Sequence, residues 1–209
     1  GIYAFNTDVL IKQLIEDAKQ KDSSHDFGKD IIPKMVQNGD TVIAYPFTGV
    51  AGHSYWRDIG TLDAYYEAHM DLVSVTPKCN LYDPHWPIHT VYSPFPPAKM
   101  VFSGGEDGKR IGTLLDSIIC NGTIISGGRV TRSIISPNVR VNSYAEVENS
   151  VLMEGVVVGR NCRIRNTIID KYVNVPPNTV IGHDIEKDRK RFDISPGGIV
   201  VIAKFTAFE

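Results

Sequence analysis

The sequence predicts an α/β segment followed by an all-β parallel coil, or β-helix. Three observations predict it. Residues 1–75 alternate helical and strand patterns, as part of an α/β domain does. Residues 77–97 hold six of the chain's 12 prolines, at Pro77, Pro84, Pro87, Pro94, Pro96 and Pro97. Residues 117–183 repeat, with apolar positions six residues apart inside each copy. The expected domains are therefore 1–75, a linker at 76–108, and a coil domain at 109–209.

In the first section, "NTDVLIKQLIEDAKQ" sets Leu10, Ile11, Leu14, Ile15 and Ala18 on one helical stripe, with Asn6 or Thr7 as cap. "FGKDIIPKMV" reads as a shorter second helix and "DTVIAYPF" as a strand. "TLDAYYEAHMDLVS" reads as a helix capped by Thr61. The prolines that follow lack the backbone donor and restrict their predecessors, so that stretch is extended linker. The glycine-rich run at 103–109 reads as a surface loop.

The third section contains three copies of 17 residues, at 133–149, 150–166 and 167–183, after a copy of 16 residues at 117–132. Val141, Val158 and Val175 are in register, as are Val147, Ile164 and Ile181. Each coil then has three short faces and points one apolar side chain per face inward. No coil buries its face alone, so stacking supplies the core. Glycine and asparagine at the corners tolerate the backbone angles required. The tail "GGIVVIAKFTAF" is expected to cap the open end of the stack.

Hydrophobic residues make up 42% and charged residues 22%, which excludes a disordered chain. The net charge of -2 argues against nucleic acid as a main partner, because phosphate binding needs a basic surface. No apolar run approaches the roughly 18 residues of a membrane span. Cys79, Cys120 and Cys162 form neither a metal-like pair nor a disulfide framework, which fits a reducing cytoplasm. The opening "GIYAFNTDVL" has no initiator Met and reads as a strand already under way, so the chain is expected to be a fragment.

The motifs "GIYAF", "SSHDFGKDIIP", "YWRDIGT", "WPIHT" and "PPAK", with the coils after them, resemble bacterial glucose-1-phosphate adenylyltransferases. The resemblance runs over nearly the whole chain. It implies the carboxy-terminal part of a Rossmann-like nucleotidyltransferase domain followed by a left-handed β-helix of hexapeptide repeats. It also implies joining of ATP and glucose 1-phosphate into ADP-glucose and pyrophosphate, with Mg²⁺, in a cytoplasmic homotetramer. By the same resemblance Asp58 is a catalytic metal ligand, although an Asp before Ile-Gly can also be a turn residue. Tyr3, Asp26, Phe27 and Trp56 fall at the glucose site. A carboxylate suits sugar hydroxyls and an aromatic ring suits a sugar C–H face. Tyr3 and Phe27 read equally as packed aromatics, and Asp26 as a helix cap. Lys171 and Lys204 fall at a regulatory site for anionic effectors. His89 departs from the family's usual Arg. The family's glycine-rich loop, first metal aspartate and sugar-phosphate lysine are expected upstream of Gly1, so the chain is expected to be inactive alone.

Two other classes compete. A β-helix acyltransferase would use His183 as base. A non-catalytic scaffold would use the coils for assembly. The first leaves "HDFGKD" and "YWRDIGT" unexplained, and the second gives no reason to keep Asp58 beside Trp56 and Asp26. The cations Arg160, Arg163 and Arg165, with Lys187, Arg189, Lys190 and Arg191, read either as part of an anion pocket or as solvated faces.

Overall fold

A computed structural model describes residues 1–47, 55–101, 103–104 and 110–208. Of the expected loop at 103–109, residues 105–109 lie outside the described residues, whereas Ser103–Gly104 forms a short strand paired antiparallel with Arg110–Ile111. The chain divides into two compact units, 1–48 and 49–209.

In the first unit, helix α1 (Thr7–Ala18) starts at Asn6, whose side chain makes no capping bond. A π-helical turn, Phe27–Ile31, runs into helix α2 (Ile32–Gln37). Pro33 has no N–H to donate back into that widened turn. Two expectations fail in this unit. The stripe of α1 is not its buried face: Ile11, Leu14 and Ile15 are exposed, whereas Gln13 and Asp17 are buried. Those two polar residues turn inward because each finds a partner, Gln13 at Asp40 and Asp17 at Ser23 and His25. Nor is "DTVIAYPF" a strand. Residues 41–47 form no ladder and Ile43 is 83% exposed. A strand needs a paired neighbour, and this stretch has none among the described residues.

The second unit is a parallel β-helix with three sheets, one per face of the coil. The first sheet stacks Lys99–Val101, Ile124–Ser126, Arg140–Val141, Val157–Val158 and Asn174–Val175. The second stacks Thr113–Leu115, Arg129–Thr131, Glu146–Glu148, Arg163–Arg165 and Val180–Ile181. The third stacks Ile118–Ile119, Ile134–Ile135, Val151–Leu152, Thr167–Ile169 and Val200–Ile202, with Asp193–Ile194 antiparallel at its end. Both expected columns hold: Val141, Val158 and Val175 line the first face inside, and Val147, Ile164 and Ile181 the second. A third column, Ile135, Leu152, Ile169 and Ile202, completes the core.

The corners repeat with the coil. Left-handed backbone recurs at Arg132, Asn149 and Asn166, at Gly127, Tyr144, Asn161 and Asn178, and at Asn138, Gly155 and Tyr172. One such residue per corner turns the chain onto the next face. The corner between the second and third sheets carries a buried hydroxyl ladder. Ser117, Ser133 and Ser150 each accept the N–H of the next coil's Ser133, Ser150 and Thr167, at 3.0, 3.1 and 3.2 Å. Each hydroxyl, Thr167 included, donates to the carbonyl two residues before it.

The third sheet is apolar on both faces, and helix α3 (Leu62–Leu72) explains why. Tyr65, Tyr66, Met70, Leu72 and Val73 cover the outward side chains Ile134, Val151, Ile168 and Ile199. The tail both extends and closes the stack. Val200–Ile202 adds a strand, and Phe208 packs on Phe192 with ring centroids 5.8 Å apart.

Candidate functional site

The expected site residues fall in both units. Tyr3, Asp26 and Phe27 belong to the first. Tyr3 stacks on Phe27 with centroids 5.6 Å apart, and Phe5, which the sequence reading passed over, closes a three-ring cluster. Alternation along "GIYAF" puts Tyr3 and Phe5 on one side of an extended segment, which was the available signal. Asp26 is the cap of the π-turn. Its Oδ1 accepts the N–H groups of Gly28 and Lys29, both at 2.8 Å.

Two carboxylates hold the loop that carries Asp26. Asp17 accepts the Ser23 hydroxyl at 2.6 Å and faces His25 Nδ1 at 2.7 Å. Ser23 also receives the His25 N–H, and His25 takes a left-handed conformation that presents the next residue to the helix start. Asp30 accepts the Ser24 hydroxyl at 2.5 Å and the Asp26 N–H at 3.1 Å. Hydrogen bonds from Ser23 first, then His25, hold the Asp17 carboxyl below its ordinary pKa, and Ser24 does the same first for Asp30. "SSHD" is thus a lattice of side-chain bonds that fixes one exposed carboxylate beside an aromatic cluster.

Trp56 and Asp58 belong to the second unit, on the lead-in to α3. Thr61 caps that helix by accepting the Ala64 N–H at 3.1 Å, as expected. Arg57 pairs with Glu67 on the helix at 2.5 Å. The helix is in turn fastened to the coils. The Tyr66 hydroxyl donates to the Asn149 carbonyl at 2.7 Å. Asp63 accepts the Ser195 hydroxyl and, at 3.2 Å, the Gly197 N–H. Asp58 is exposed, and its Oδ1 accepts the Gly60 N–H at 3.3 Å. It therefore shapes a turn while still presenting hard oxygen to solvent. Trp56, 61% exposed, stands two residues away.

Asp58 fits Mg²⁺ as a single ligand. That ion takes oxygen donors and is commonly held by one or two carboxylates together with phosphates. Among the described residues no group of three or more His, Cys, Asp or Glu gathers around a metal position.

Lys171 and Lys204 lie on successive coils, and one carboxylate ties their backbones. Asp170 accepts the Lys171 N–H at 2.7 Å and the Lys204 N–H at 3.2 Å. The Lys204 ammonium sits over the rings of Tyr172 and Phe205, at 5.4 and 5.1 Å from their centroids. Tyr172 is held by Glu154, which accepts its hydroxyl at 2.6 Å. The alternative base, His183, lies elsewhere in the coil unit, in a cleft with Arg163, Lys187 and Arg191.

A parallel coil of hexapeptide repeats preceded by a helical segment is the class these features define. Residues 1–75 match the family model described as "Nucleotidyl transferase", and residues 96–202 match "GlmU-like, C-terminal hexapeptide". The chain belongs to the GlmU-like hexapeptide family. More particularly, its relatives are glucose-1-phosphate adenylyltransferases. That of Koribacter versatilis is 51% identical over 214 residues, covering 100% of this chain and 50% of the relative. That of Rhodopirellula baltica is 52% identical over 207 residues, covering 98% and 46%. Glucose-1-phosphate adenylyltransferase 2 of Vibrio cholerae is 49% identical over 214 residues, covering 100% and 51%. The chain spans about half the length of the curated relatives it matches.

Proposed function

We propose that this chain is part of a glucose-1-phosphate adenylyltransferase that makes ADP-glucose for bacterial glycogen synthesis. The observation that carries this reading is the 51% identity along all of this chain to a protein of that name. A phosphate oxygen of glucose 1-phosphate attacks the α-phosphorus of ATP. The bond to the β-phosphate oxygen breaks, and pyrophosphate leaves with that electron pair.

Asp58 supplies one oxygen ligand to Mg²⁺. When bound, the ion neutralises and orients the approaching phosphates. Asp26 accepts sugar hydroxyls, and Tyr3, Phe27 and Trp56 offer aromatic faces to the ring. Lys171 and Lys204 bind an anionic effector. Residues 1–75 serve catalysis, 76–108 link, and 109–209 serve regulation and assembly into a homotetramer in the cytoplasm. Among the described residues no helix is long and apolar enough to cross a membrane.

The test is pyrophosphate release by the full-length protein with glucose 1-phosphate and Mg²⁺, comparing ATP with other nucleoside triphosphates. Release specific to ATP supports the reading. No release with any nucleotide from folded protein overturns it.

A further inference from the structure

One cleft of about 870 Å³ lies at the end of the coil stack, within the range of small-molecule sites. Its walls bring together two basic stretches that are distant in sequence. Arg163 comes from the outer face of the second sheet, in register with Val180 on the last strand. His183, Lys187 and Arg191 come from the segment that folds over that strand. Pro176 and Phe208 add apolar surface. Lys171 and Lys204 are not among its walls.

The cleft is held in shape. Buried Asp188 accepts the Gly182 N–H at 2.7 Å, tying the turn before His183 to helix α4 (Ile185–Asp188). Gly182 has φ +78, and a Cβ there would meet the Arg165 carbonyl oxygen, so the turn admits only glycine. Asp184 caps α4 and pairs with Lys187 at 3.1 Å. The guanidiniums divide in a telling way. Arg165 and Arg189, two residues from Arg163 and Arg191, have carboxylates at 3.7 and 4.0 Å, Glu148 and Glu186. Arg163 and Arg191 have no ion-pair partner among the described residues. Arg191 is steadied over the Phe192 ring, 4.6 Å from its centroid.

We propose that this cleft binds an organic phosphate. Arg163 and Arg191 give forked donors to the phosphate oxygens, and Lys187 adds a point charge on leaving Asp184, with which it pairs at 3.1 Å in the same wall. Phe208 and Pro176 take the apolar or ring portion of the molecule. The site is distinct from the one assigned to Lys171 and Lys204, and it does not depend on the catalytic reading.

The probe is phenyl phosphate, titrated into the full 209-residue chain and followed by NMR of the arginine Nε–H groups. Arg163 and Arg191 signals are expected to shift, while phenol alone moves nothing. Inorganic phosphate is expected to shift the same signals with weaker affinity. Replacing both exposed arginines, Arg163→Gln with Arg191→Gln, is expected to weaken phenyl phosphate binding about tenfold or more at unchanged melting temperature. Lys171→Ala with Lys204→Ala is expected to leave it unchanged. Should the arginine pair variant lose its fold, Lys187→Gln alone, on an exposed side chain, is expected to weaken binding several-fold. Absence of arginine shifts at millimolar probe, or undiminished binding by the folded variants, would overturn the proposal.

Discussion

Asp58 has one bond that makes a turn and one outward face that can meet a metal, and both come from its place before Ile59-Gly60. Asp58→Asn keeps an oxygen for the Gly60 N–H and removes the charge. It is expected to lower turnover of the full-length protein by a factor of 100 or more, on the scale of lost electrostatic stabilisation, with unchanged melting. Turnover within twofold of wild type would leave the residue a turn former only. Lys171→Ala and Lys204→Ala are expected to spare basal activity and blunt activation by anionic effectors, read from effector titrations. Equal activation of variant and wild type would remove both from that role. At Asp17 the sign of the pH effect follows from its depressed pKa. Its contribution is full above the ordinary 3.8 and is lost as pH falls through the lower folded value. The 23–30 loop is therefore expected to hold at pH 4 and loosen below it, seen in the amide signals of His25 and Asp26. Loosening that begins at pH 5 would contradict the bonds described. Asp26 was legible as a cap; Asp17 was not, because its partners Ser23 and His25 are reached only when the chain turns back.

The elements of the coil owe their register to more than apolar columns. Each repeat begins with the hydroxyl of Ser117, Ser133, Ser150 or Thr167, and these form the buried ladder. Ser150→Ala removes the acceptor for the buried Thr167 N–H, at an expected cost of about 1–3 kcal/mol in chemical denaturation. A loss below 0.5 kcal/mol would mean that another group had taken its place. The hydroxyl at the head of each copy was visible in the sequence, but its use was not. A serine at a coil start could face solvent, and only the closed stack makes it a bridge. Helix α3 shows the same division. Its Thr61 cap and helical pattern were local signals. Its docking on Ile134, Val151 and Ile168 was written only as an unexplained second apolar position in each third-sheet strand.

For the whole molecule, burial is unevenly distributed. The coil core includes Ile125, Val141, Leu152, Ile169 and Ile202, all at 0% exposure, while among the described residues of the 1–48 unit the buried apolar ones are Ile31 and Met35. Amide exchange is expected to be slowest along 125–202 and fast through much of 1–48, since local opening follows burial. Uniform protection would contradict this. The sequence by itself determined the coil, its 17-residue period, two of its three core columns, the Thr61 cap and the family motifs. Those are local or periodic signals, and a repeat states its own long-range pairing. The hand of the coil came with the resemblance. Only the tertiary structure decided that α1 buries Gln13 and Asp17, that residues 41–47 form no strand, and that α3 lies on the third sheet. It also decided that Arg163 meets Arg191 in one cleft. Each depends on which partner a segment meets after folding. A side chain buries, a strand pairs and a cation stays unmatched according to neighbours that sequence spacing does not name.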